Sequence, residues 1–127
     1  MATSWLATAA DARGRGDAAL ANARQALRDK RHDEAIQAFR SAVEADPALL
    51  SQAWGWGMAL YAKGRLEEAA ELFERILQAH PDAGRARFGR GLVRMRSGGD
   101  AEADFRAALA LDGDDVRARF RLGQVLY

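Results

Sequence analysis

The chain contains no cysteine, only two prolines, and rings at just 8% of its 127 residues. Without thiols there are no disulfides, no thiolate nucleophile and no cysteine-based zinc site. Neither sign of charge dominates: 19 basic against 18 acidic side chains leave +1, so no overall field draws the protein to nucleic acid or to an acidic membrane. No apolar run approaches the roughly 18 residues that a spanning helix needs. The opening "MATSWLATAADARGRGD" lacks a basic start and meets Asp11 where an apolar stretch should continue, so it does not read as a secretory signal. Together these absences predict a cytoplasmic protein that binds no membrane, with nucleic acid an unlikely partner.

Catalytic constellations are missing too. His32 and His80 fall in turns of different segments with no carboxylate at metal-ligand spacing, so no metal is expected. "LDGDDV" lacks the spaced oxygen ligands and closing glutamate of a calcium loop; Asp114 or Asp115 reads instead as a helix N-cap. No phosphate-cradling glycine loop occurs, so no cofactor is expected and the chain is read as a non-enzyme.

What is present is a repeat. "AIQAFRSAVEADP", "AAELFERILQAHP" and "AEADFRAALALDG" open at Ala35, Ala69 and Ala101. Phe39, Phe73 and Phe105 correspond within them, as do Pro47, Pro81 and Gly113. Gly57, Gly91 and Gly123 lie upstream in phase, and every series steps by 34 and then 32 residues. Each unit predicts two helices. In the middle unit one runs roughly over 50–63 and stops at Gly64, a left-handed cap. The other covers 66–79 and ends before Pro81. Equivalent pairs fall near 17–29 with 33–46 and 84–96 with 100–111, and a last helix begins near Asp115.

A 34-residue helix–turn–helix unit with glycine, then A-x3-F, then proline resembles the tetratricopeptide repeat. Gly57, Gly64, Ala69, Phe73 and Pro81 stand in that family's columns, while Trp56 replaces its usual leucine and Leu60 its tyrosine. The resemblance implies an all-α, right-handed α-solenoid of about three repeats plus a terminal helix. The expected division is an N-terminal segment or short helix (1–15), a degenerate first repeat (16–48), a second (49–82), a third two residues short (83–114), and a first helix of a fourth repeat or a cap (115–127). Residues 4–13 read as a short helix capped by Ser4, with Trp5 and Leu6 docking, or as a frayed tail. The glycines and the alanines Ala23, Ala35, Ala69 and Ala101 are expected where paired helices cross, since small residues let axes approach closely. Arg87, Arg90 and Arg94 replace apolar residues; their stems are expected on apolar surface with guanidinium groups outward, near Glu71 or Glu74. "RARFRLGQVLY" ends inside a fourth unit, and its apolar final residues favour an excerpt of a longer protein over a capping helix.

In this family the first helices line a concave binding surface. Trp54, Phe88 and Phe120 form one predicted ladder on it, Met58, Leu92 and Gln124 a second, and Tyr61, Met95 and Tyr127 a third. The first repeat contributes Leu20, Arg24 and Leu27, and Arg28, Arg85, Arg96 and Arg117 rim the surface. Trp56 is expected to pack between helices instead. Relatives that clamp an acidic chaperone tail use lysine, asparagine and arginine at places that here hold Leu20, Arg24, Gly55, Arg85 and Gly89, so that clamp is not expected. The function implied is a protein-interaction module holding a peptide or amphipathic helix in an aromatic, arginine-lined groove. Two alternatives remain: the repeat domain of a larger enzyme (glycosyltransferase, sulfotransferase or hydroxylase type), and self-assembly through the exposed C-terminal helix.

Overall fold

The computed structural model describes the backbone of residues 2–113 and 115–126, and side chains from residue 10 onward in that span. Among them all regular structure is helical: α1 (Ala2–Arg28), α2 (His32–Ala45), a 3-10 turn (Pro47–Gln52), α3 (Trp54–Ala62), α4 (Leu66–Ala79), α5 (Gly84–Arg96), α6 (Glu102–Leu111) and α7 (Val116–Leu126). Each helix packs on its neighbours in the chain, and α3 also touches α1 and α5. That is the pattern of an α-solenoid, in which a unit meets only adjacent units.

Three repeat turns close in the same way. Gly64 and Gly98 adopt φ of +76° and +80°, and Lys30, 34 residues before Gly64, adopts +59°. Behind each, an N–H reaches five residues back: Arg31 to the Ala26 carbonyl, Arg65 to Leu60 and Gly99 to Arg94, at 2.7–2.9 Å. These bonds satisfy carbonyls that the helix end would otherwise orphan. The two missing residues of the third repeat fall just after Gly98. α4 starts two residues beyond its turn glycine, whereas α6 starts four beyond and is ten residues long against fourteen. The tighter turn is held by Asp100, which accepts from the Glu102 N–H at 3.0 Å.

The structure departs from the sequence reading in places. The expected breaks near residues 4 and 14–16 do not occur, because α1 is continuous from Ala2. Gly16 is buried rather than disruptive: a Cβ there would lie 3.1 Å from Asp46 Cβ and 3.2 Å from Leu49 Cδ1. The helix begins ahead of Ser4, which is therefore no cap, and the docking of Trp5 and Leu6 lies outside the described residues, as does Asp114. The helix expected over 50–63 is shorter. Pro47 instead opens the 3-10 turn, capped by Asp46, which accepts from the Ala48 N–H at 3.2 Å. Nor is His32 a turn residue; it starts α2 and is half-buried.

Glycine pairs set how closely the helices approach. The Phe73 ring is wholly buried and lies against Gly57 of its own repeat and Gly89 of the next, so tightly that a Cβ at either would collide with it. Gly55 stands in the same relation to Phe39, with a Cβ at 2.8 Å from Cζ, and Gly91 to Phe105, at 2.6 Å from Cε1. The spaced glycines of "GWG" and "GRG" thus serve different rings: the first takes the ring of the preceding repeat, the second that of its own. Each fully buried phenylalanine contributes about 1.5–3 kcal/mol, which offsets the roughly 1 kcal/mol a helical glycine costs.

Arginines of the third repeat behave differently from expectation. Trp56, Leu60 and Leu72 pack in the core of the second repeat, and their counterparts in the third are Arg90, Arg94 and Asp104. Arg90 does pair with Glu74, at 2.7 Å, but its guanidinium turns inward. It holds Asp104 through Nε at 3.0 Å and Nη2 at 2.7 Å, while Arg94 takes the other carboxylate oxygen at 2.9 Å. Asp104 is 1% exposed. Burial disfavours the charge of Arg90, but its hydrogen bonds to Asp104 and Glu74 outweigh this and raise its pKa. A buried carboxylate needs cations close by, so Arg90 is drawn inward to 14% exposure, while Arg94 reaches Asp104 and stays 41% exposed. The buried apolar residues form two clusters, one over the first two repeats that also takes in Ala86 and Val93 of α5, and one built on Phe88, Leu92, Phe105 and Ala118.

Candidate peptide-binding groove

The first helices of successive repeats, α3, α5 and α7, bring one side-chain column each to a shared hollow of about 740 Å³. Helical spacing explains why. Trp54, Met58 and Tyr61 recur at i, i+4 and i+7 on α3, and Phe88 and Leu92 occupy the same phase of α5. Along with Phe120 of α7, all six line the hollow; Leu27, Lys30 and His32 close its far end. Phe88 and Leu92 are 5% exposed and form its floor, whereas Phe120 is 62% exposed and stands at its edge. Trp56, by contrast, points into the core at 9% exposure.

A guanidinium stands over each ring. Arg85 lies 5.2 Å from the Trp54 centroid, Arg96 5.2 Å from Tyr61, Arg117 4.9 Å from Phe88 and Arg121 5.9 Å from Phe120. Such contacts contribute about 0.5–1 kcal/mol each at exposed sites. Arg96 also donates to the Tyr61 carbonyl at 3.2 Å. Among the described residues no aspartate or glutamate lines the hollow.

The remaining candidates fall around it. Trp54 also walls a second cleft of about 460 Å³ beside Arg24 and Arg85, where Arg24 donates to the Gln52 side chain at 2.8 Å. Arg28 donates to Gln25 on its own helix and lines neither hollow. Met95 is half-buried against the second cluster, and Gln124 is exposed, accepting from Arg121 at 3.0 Å. Tyr127 lies outside the described residues. Of the places that would form a chaperone-tail clamp, Leu20 is buried, and Gly55 and Gly89 are taken up by the phenylalanine contacts. Sequence reasoning did not single out Lys30 or Arg121, and it named Gly55 and Gly89 as clamp places but not as points of close helix approach. The glycine signal was available, since Gly55 and Gly89 are themselves 34 apart. Among the described residues no three histidine, aspartate or glutamate side chains gather so as to hold a metal, and no helix is long and apolar enough to cross a membrane.

Stacked helical hairpins whose first helices line one hollow define an α-solenoid of the kind typical of interaction domains. A family model described as "Tetratricopeptide repeat" matches residues 55–99 and again 92–127, and a second of the same description matches 26–49. The chain belongs to the tetratricopeptide repeat family. Solved structures agree on the fold: the Arabidopsis OM64 TPR domain superposes with TM-score 0.82 at 18% identity, over 90% of this chain and 96% of that one. The first TPR of Spaghetti (RPAP3), bound to the HSP90 peptide SRMEEVD, gives 0.82 at 16% identity over 90% and 94%. In sequence the chain is similar to Protein CTR9 homolog of Arabidopsis thaliana, 34% identical over 94 residues, and to an uncharacterized 18.1 kDa protein in the carS 3' region of Myxococcus xanthus, 50% identical over 52. Those matches cover 72% and 40% of this chain but only 9% and 31% of the relatives' lengths.

Proposed function

We propose that the protein is an interaction module that holds a peptide segment or amphipathic helix of a partner in the concave groove. The observation that carries this reading is the continuity of the hollow. Trp54, Met58, Tyr61, Phe88, Leu92 and Phe120 come from three separate helices yet line one largely apolar hollow of about 740 Å³. Binding energy should concentrate in a few ring and arginine anchors. The fold-level neighbour that holds a short HSP90 peptide supports this mode of use. To test it, a photoreactive residue is placed at Met58 and, separately, at the exposed Glu67, and cross-linked partners are identified by mass spectrometry. A partner captured at position 58 but not 67, and lost on Trp54→Ala, is the expected result. Equal capture at both positions, or capture unaffected by Trp54→Ala, counts against the groove.

A second reading, self-association through α7, has one observation in its favour. Val116 and Leu126 are 73% and 46% exposed, and a Cβ at Gly123 would meet nothing within 4 Å. Light scattering across a concentration series tests it, and a constant monomer mass removes it.

A further inference from the structure

We infer, building on the groove reading, that the partner segment is acidic, and that its carboxylates are read at the α5–α7 end by arginines held over rings. Some arginines of this chain are tied to carboxylates, and others, such as Arg24, Arg28 and Arg119, bond neutral oxygens. Arg31, Arg65, Arg90, Arg94 and Arg106 meet carboxylates at 2.6–2.9 Å, all away from the hollow. At the hollow the pattern changes. Among the described residues Arg121 donates to the Gln124 side-chain oxygen, and Arg96, which stands over Tyr61 beside the hollow, donates to the Tyr61 carbonyl. Arg117 reaches Asp115 through Nε at 3.4 Å, and among the described residues its two terminal nitrogens meet no carboxylate. Lys30, on the opposite wall, has no ion-pair partner among the described residues. Cations therefore collect on this surface although the whole chain carries only +1.

A guanidinium resting on a ring is held by its face, while its N–H donors point outward in the plane. That arrangement presents a ready fork to a carboxylate and spares part of the ordering cost. Between the forks lie Met58, Leu92 and Leu27, so the matching segment alternates aspartate or glutamate with bulky aliphatic or aromatic residues. Single-stranded nucleic acid fits less well. Bases need free aromatic faces, whereas here guanidinium groups already stand over the rings and much of the floor is aliphatic. A second copy of α7 is disfavoured by charge, since that helix carries Arg117, Arg119 and Arg121 and no acid.

The test pans a randomised peptide library against the full chain and measures binding of labelled winners. Expected are peptides with acids next to leucine, phenylalanine or tryptophan. Their affinity should fall about tenfold or more when those acids become amides, and likewise in the Arg117→Gln/Arg121→Gln protein. Circular dichroism confirms that the double variant stays folded, both residues being at the surface. Winners without acidic enrichment that still need Trp54 and Tyr61 would overturn the inference and leave the groove reading intact. Winners indifferent to Trp54→Ala and Tyr61→Ala, or no winners at all, would overturn both. Displacement of the acidic winners by a single-stranded RNA oligonucleotide that binds more tightly would assign the surface to nucleic acid instead.

Discussion

Gly57 and Gly123 occupy the same column of the repeat, yet their surroundings differ. A Cβ on Gly57 would run into the Phe73 ring, while one on Gly123 would enter open space. Gly57→Leu is therefore expected to cost about 1–3 kcal/mol or more through overpacking, lowering the melting temperature by about 5–15 °C. Gly89→Ala should also destabilise, because that glycine touches the same ring from the neighbouring helix. Gly123→Ala should leave the melt unchanged or raise stability by up to about 1 kcal/mol through helix propensity. Thermal melts of the three variants check this, and a lowered melt for Gly123→Ala would mean that something covers α7. The spacing of the glycines was legible in the sequence. Which ring each one serves was not, because that depends on how successive hairpins are offset.

Among elements, α5 and α6 add a buried charge cluster to their apolar contact, at positions where α3 and α4 meet through apolar side chains. Asp104 is the member that cannot be left alone. Asp104→Ala strands two arginines, one of them only 14% exposed, and is expected to cost about 3–5 kcal/mol. Replacing the set by the residues of the preceding repeat, Arg90→Trp, Arg94→Leu and Asp104→Leu together, should be neutral or stabilising. Urea unfolding of the single and triple variants measures both; a triple variant weaker than Asp104→Ala would refute the equivalence of the columns. α7 depends on its cap. Burial acts to raise the pKa of Asp115, but hydrogen bonds from the Ala118 and Arg117 N–H groups and the Arg117 side chain prevail and lower it. A depressed carboxylate contributes stability above its unfolded pKa of about 3.9 and loses it as pH falls through the folded value. Helicity of α7 should thus decline below about pH 4, and Asp115→Asn, which keeps a capping oxygen, should flatten that decline in amide chemical shifts followed by NMR.

For the molecule as a whole, a linear stack means unequal stability. α4 is covered on both sides by α3 and α5, whereas α7 packs chiefly on α6 and leaves Val116, Phe120 and Leu126 exposed. Amides of α4 should outlast those of α7 by at least about tenfold in hydrogen exchange. Equal protection would require a partner, or a second copy, over the last helix. The same stacking aligns the first helices and makes one hollow out of residues far apart in sequence.

Much of this was determined by local order alone. The 34-residue step, the turn glycines and the A-x3-F segments specify helical hairpins, because backbone caps and helical periodicity act over a few residues. α4 and α5 fall where their periodicity placed them. Only tertiary packing decided the rest. Arg90 reads as a surface residue until two helices bring it to 2.7 Å from Asp104, and Trp54, Met58 and Tyr61 become one wall only when Phe88, Leu92 and Phe120 arrive opposite. Charge pairing and groove formation depend on distances between elements, and those follow from how glycines and phenylalanines let one hairpin seat against the next.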